Sequence, residues 1–164
     1  MAGRTDRFLS ELEASFEASL ARDEDLAASD LARSFRNDET LVDILARCGG
    51  ATVQLTDGTR LPIVEVGSDH VVAGAEADVL VRFEQAIMHL GDSDREPVCT
   101  QASWLSVLRG WAAEIRKVQV RAHDGVVAGR LVVAARDFLR VENGAGAVLL
   151  PHEVVTYVRS CPED

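Results

Sequence analysis

Val118-Gln119-Val120-Arg121-Ala122-His123-Asp124-Gly125 reads as a second copy of Ala51-Thr52-Val53-Gln54-Leu55-Thr56-Asp57-Gly58. In each stretch apolar and polar side chains alternate and then run into Asp-Gly. Alternation at period two sends every second side chain to one face, the mark of a half-buried strand. Asp-Gly between two such runs predicts a hairpin with a type I′ turn, whose two central residues both take positive φ.

The likeness extends in both directions. Upstream, Leu41-Val42-Asp43-Ile44-Leu45 with Cys48 matches Trp104-Leu105-Ser106-Val107-Leu108 with Trp111. Each reads as a short helix, the first with Thr40 at its N-cap and Gly49-Gly50 as its stop. Downstream, Pro62-Ile63-Val64-Glu65-Val66 falls on Gly129-Arg130-Leu131-Val132-Val133, and Val71-Val72 on Phe138-Leu139. With two extra residues in the second copy, Asp78-Val79-Leu80-Val81 falls on Ala147-Val148-Leu149-Leu150 and Glu84 on Glu153. The run Phe83 to Leu90 fits a strand or a short helix equally. Each copy is therefore a short helix followed by about five short strands, which hide an apolar face only by curling into a barrel or packing on another sheet. Gly129 stands where such a strand bends sharply, and Pro62 holds that place in the first copy.

The second copy resembles the Sm-like pattern. Its Val127-Ala128-Gly129-Arg130-Leu131-Val132-Val133 strand leads to an Asp-bearing turn and a returning strand, Asp137-Phe138-Leu139-Arg140-Val141. Val148-Leu149-Leu150-Pro151 and a closing Val154-Val155-Thr156-Tyr157-Val158 follow. The whole chain is similar to small actinobacterial proteins that open on an acidic helix, here Asp6-Arg7-Phe8-Leu9-Ser10-Glu11-Leu12-Glu13, and carry two such barrels. Some of these are labelled Fis-family regulators. That label calls for a basic helix-turn-helix, and the helical segment here is acidic. The resemblance implies a mainly β protein with N-terminal α structure: two tandem Sm-like (SH3-like) small barrels, each preceded by a short helix. The expected divisions are 1–38, an acidic helical segment; 39–90, the first barrel; 91–102, a linker centred on Gly91 to Pro97; and 103–164, the second barrel.

Residues 6 to 36 contain neither Pro nor Gly and are rich in Ala, Leu, Glu and Arg, good helix formers. Phe8, Leu12, Phe16 and Leu20 recur at spacing four, and Ala27, Leu31 and Phe35 resume the stripe after Asp23-Glu24-Asp25. That acidic interruption favours two helices with a bend near residues 22 to 25. The stripe is a core face of this chain or a contact with a protein partner or second copy, and so short a pattern fits both. Trp104 and Trp111, seven apart, share a helix face that with Leu105, Val107 and Leu108 is expected to lie between the two barrels.

The 164 residues carry a formal net charge of -10, which disfavours sequence-independent nucleic-acid binding. Residues 1–40 hold ten acids and five bases, whereas residues 117–164 hold six of each. The Sm-like resemblance implies an RNA site near Asp137 to Arg140 and Asn143-Gly144-Ala145-Gly146, although the usual Arg/Lys-Gly closing pair is absent. Arg121, Arg130, Arg136 and Arg140 are the candidate anion ligands if they share a face, while stacking aromatics are scarce. Cys48, Cys99 and Cys161 make no paired or metal-knuckle spacing, and His70, His89, His123 and His152 sit in no ligand frame. No catalytic residue, metal or cofactor is expected. The chain opens on no apolar leader and has no membrane-length run, so the expectation is a cytoplasmic, non-catalytic interaction or regulatory adaptor, self-associating or binding another protein. RNA or another anionic ligand on the second barrel is the alternative.

Overall fold

A stretch without an internal helix breaker stays helical through an acidic patch, because Asp and Glu on a solvated helix cost only tenths of a kcal/mol, on the order of 0.5. In the computed structural model, which describes residues 2–37 and 39–162, α1 (Ala2–Asn37) is accordingly one helix of 36 residues. The expected bend at 22 to 25 is not there. At 1.5 Å per residue the helix is roughly 54 Å long. Phe8 and Leu12, in the expected stripe, have side chains outside the described residues. Phe16 and Leu20 are exposed, Phe16 by 66%. The chain divides into two compact units, Met1–Thr40 and Leu41–Asp164.

The second unit begins with α2 (Leu41–Arg47) and the strands β1 (Thr52–Gln54), β2 (Arg60–Val66), β3 (His70–Ala73), β4 (Val79–Arg82), β5 (Ile87–His89) and β6 (Val98–Cys99). It continues with α3 (Trp104–Ala113), β7 (Lys117–Ala122), β8 (Gly125–Ala134), β9 (Phe138–Asn143), β10 (Gly146–Pro151) and β11 (Val155–Ser160). The protein is mainly β, with an N-terminal helix and one large antiparallel sheet. Its strand order is β10-β9-β8-β7-β11-β4-β3-β2-β1-β5, with β6 added in parallel beside β2. The run 83–90 resolves as both expected forms, a 3-10 turn at Phe83–Gln85 and then β5.

This order contains the repeat. The halves β5-β1-β2-β3-β4 and β11-β7-β8-β9-β10 have the same succession, and each has a 3-10 turn before its last strand, the second at His152–Val154. Both halves also shift register at the same place in their second strand, between Ile63 and Glu65 and between Leu131 and Val133. The bulges pair Ile63 with Leu131, one residue beyond the alignment read from sequence. Gly129 has a packing reason: a Cβ there would collide with the Glu142 carbonyl oxygen across the β8–β9 ladder.

Two closed barrels are not what these strands form. The halves are joined by β11 pairing with β4, Val158 opposite Leu80 and Arg159 opposite Val79, and the sheet stays open at β10 and β5. The cores interlock at this junction. Tyr157 of the second half belongs to the first half's apolar cluster, with Leu45, Val53 and Val81. Val72 and Leu80 of the first half belong to the other, with Trp104, Leu108, Trp111 and Leu139. Helix α3 thus seals the second core where the first half enters it, its Ser106, Arg109 and Gly110 remaining exposed.

Both hairpins form, with turns other than type I′. Gly58 lies at φ +85° and donates to the Leu55 carbonyl at 2.9 Å, while Leu55 N–H donates to Thr59 at 2.8 Å. This is a three-residue loop closed by one left-handed glycine. Asp57 accepts from Thr59 N–H at 2.9 Å, a bond that holds its exposed carboxyl below the usual carboxylate range. In the second hairpin Ala122 pairs with Gly125, so His123 and Asp124 form the loop and Gly125 already belongs to the strand. The expected linker is strapped down: Gly50 N–H donates to Arg95 O at 3.1 Å, Ser68 N–H to Ala102 O and Thr100 N–H to Val66 O, each at 2.9 Å.

Because Leu80 fills the core of the other half, Leu80→Ala is expected to cost about 2–5 kcal/mol and to weaken both halves in one transition. Tryptophan fluorescence reports the second half and amide exchange in β1 and β2 the first. A fluorescence shift that leaves first-half exchange unchanged would refute the shared core.

Candidate functional site

The four arginines proposed as an anion site are spread over β7, β8, the turn after β8 and β9. Arg121 is on β7, opposite Val126, and Arg136 is in the turn after β8. Arg130 and Arg140 lie on adjacent strands, but Glu142 lies opposite Arg130 and is paired to Arg140 at 2.7 Å. A carboxylate between two guanidinium groups cancels much of the field that a phosphate would need.

The polar groups around α3 are structural in their bonding. Asp69 Oδ1 accepts from the Trp104 N–H at 2.7 Å, at the start of α3, and lies 3.0 Å from His70 Nδ1. A carboxylate only accepts, so His70 presents Nδ1–H to it. Across the β3–β4 ladder His70 stands opposite Arg82, whose guanidinium lies 5.9 Å from the Trp104 ring centroid. His152 accepts at Nδ1 from Trp104 Nε1–H at 3.2 Å, and its Nε2 lies 2.8 Å from the Ala135 carbonyl. That carbonyl accepts only, so His152 is the neutral Nε2–H tautomer in this arrangement. These bonds tie Asp69 of the first half to α3, and α3 to the second half.

A shallow depression of about 370 Å³ at the junction is lined by Glu76, Asp78, Glu114, Arg116, Lys117 and Cys161. Arg116 is ion-paired with Glu114, and Asp78 lies 3.9 Å from it. Among the described residues no three His, Cys, Asp or Glu side chains cluster as metal ligands. No described helix is long and apolar enough to cross a membrane.

What the geometry does offer is two strand edges. Among the described residues β10 is paired by β9 alone and β5 by β1 alone, as the two-residue β6 is by β2 alone. An edge strand presents unpaired backbone N–H and C=O groups, a template for another strand. The turn between β9 and β10 is held by Asn143, which accepts from Ala145 N–H at 3.0 Å, and by Gly146 at φ +130°. From it β10 runs out with Leu149 60% exposed. At the other end Ile87 is 62% exposed on β5, with Leu90 exposed just beyond it. His89 Nε2 lies 2.9 Å from Gln54 Oε1, which fixes β5 against β1. Leu149 and Ile87 were not singled out by sequence reasoning. The available signal was the alignment of Leu149 with Leu80, an apolar residue in the place of a core one.

No protein-family model matches this chain, and no curated protein matches it.

The His152 network gives a direct test of the α3 anchor. His152→Ala leaves Trp104 Nε1–H and the Ala135 carbonyl without their partner in a buried place, each at about 1–3 kcal/mol. The expected result is a lower urea midpoint with a changed near-ultraviolet Trp signal. An unchanged midpoint would show that the network carries no stability.

Proposed function

We propose that residues 39–90 and 103–164 are two diverged Sm-like (SH3-like) units fused edge to edge, and that the chain is a non-catalytic, cytoplasmic protein–protein interaction module. The observation that carries this reading is the pair of free edges, each bearing a large exposed apolar side chain, Leu149 on β10 and Ile87 on β5. Natural sheets blunt free edges with charges, prolines or cover. Here β10 has only Pro151 at its last position, and β5 is Ile87-Met88-His89. An added strand would gain main-chain hydrogen bonds from the edge and specificity from alternate side chains. The common strand order, the matched bulges and the paired 3-10 turns support the two-unit description.

The rival reading, RNA or another anion on the second half, has the Glu142 carboxylate between Arg130 and Arg140 against it. The α1 stripe remains a second place for a partner, with Phe16, Leu20 and Leu31 exposed on it.

A photo-crosslinking amino acid placed at Leu149 or Ile87 in the full chain, expressed in cells, is expected to yield polypeptide adducts. The same group at Ala113, exposed on α3, serves as the background. Adducts from neither edge above that background would overturn the edge-binding function.

A further inference from the structure

Helix α1 carries an apolar line that its own chain does not cover. Every residue from Glu13 to Ala32 is exposed, Phe16 by 66%, Leu20 by 48% and Leu31 by 59%. At 3.6 residues per turn Phe16, Leu20, Ala27 and Leu31 fall within an arc of about 60°, and the line runs roughly 22 Å along the axis. Most of the stability of a helix in a folded protein comes from packing such a face. Here the face stands in water.

The charges beside the line say what kind of cover it takes. The same helical projection sets Glu17 and Glu24 along one border and Asp23 and Asp30 along the other. Residues 13–32 hold six acids, with Arg22 the single base of that stretch. The field over the face is therefore negative, which repels nucleic acid and anionic lipid. A second copy of α1 fits badly for the same reason. Laying two lines antiparallel, Phe16 on Leu31 and Leu20 on Ala27, centres the pair between residues 23 and 24. Asp23 and Glu24 of one chain then meet the same two residues of the other, and an in-register parallel pair also opposes them. Like charges set against each other disfavour both arrangements. A helix with Lys or Arg beside its own apolar line makes both borders attractive.

We propose that α1 docks a cationic amphipathic helix of another protein. Its apolar side chains cover Phe16, Leu20, Ala27 and Leu31. Its Lys or Arg side chains meet Glu17 and Glu24 on one side and Asp23 and Asp30 on the other. The acidic borders steer the encounter and select the partner, while burial of the apolar line holds it. This shares with the function proposed above the claim that the chain binds proteins, and it uses neither strand edge.

The full chain titrated with a synthetic helical peptide tests this. The peptide has about 20 residues, with leucines at three- and four-residue spacing between two lines of lysine. An isomer of the same composition with its leucines spread around the helix is the control. Fluorescence anisotropy of a dye on the peptide is expected to show saturable binding of one peptide per chain, about tenfold or more tighter than the isomer. Raising the ionic strength well above physiological is expected to weaken binding about tenfold. Amide exchange is expected to slow within 13–32 and not in the second unit. Leu20→Ser with Leu31→Ser, which breaks the apolar line, is expected to weaken binding about tenfold or more. Glu17→Gln with Glu24→Gln keeps good helix formers in place and is expected to weaken binding about fivefold and to flatten its salt dependence. No binding at low salt overturns the proposal, as do equal binding of the isomer, indifference to either double variant, or protection outside α1. Protection of 13–32 that grows with chain concentration alone also overturns it, because a second copy is then the occupant. Crosslinking from Leu149 and Ile87 decides the edge function separately: its failure leaves docking on α1 standing, and a peptide that does not bind leaves the edges standing.

Discussion

The short ladder between β11 and β4 is the constraint on which the second unit depends. Through it Tyr157 enters the first apolar cluster, while Val72 and Leu80 enter the second. Full burial of a side chain of this size contributes roughly 1.5–3 kcal/mol, a large fraction of the net stability of a small domain. Neither half completes its core without side chains from the other. Helix α3 follows from the same constraint, since Trp104, Leu108 and Trp111 cap the cluster into which Leu80 projects.

Polar bonding reinforces this arrangement. Asp69 holds the first turn of α3, and His152 holds the Trp104 indole from the other side. The surface arginines are dispersed or paired with acids, as Arg140 is with Glu142 and Arg82 with Glu84, both at 2.7 Å.

Much of this was legible in the sequence. The repeat, the two hairpins and the leading helices come from side-chain periodicity and local backbone preference, which a linear reading sees directly. The join between the halves is a backbone pairing of distant strands, and a ladder bond leaves no mark on residue type. The run Val79-Leu80-Val81 does hint at it, because a strand buried on both faces is apolar without alternation. Yet Val148-Leu149-Leu150 reads the same and has Leu149 in solvent. Turn type failed because loop length, which register sets, decides where Asp-Gly falls: Gly58 closes a three-residue loop, whereas Gly125 starts a strand. The bend expected in α1 failed because an acidic triplet lacks the geometry of a breaker. For the candidate arginines, strand register set Glu142, the ion-pair partner of Arg140, opposite Arg130, a placement that residue spacing does not reveal.

The strap from Gly91 to Ala102 has its own thermodynamic meaning. Anchored at Gly50, Val66 and Ser68 by backbone hydrogen bonds, it keeps the second half beside the first at an effective concentration that short connections commonly raise to about the millimolar range. Two ladder pairs and a few exchanged side chains suffice to hold the fused halves under that tether. Unlinked, the two halves would bear the full loss of translational freedom on meeting, so the fusion makes permanent a contact that would otherwise answer to abundance.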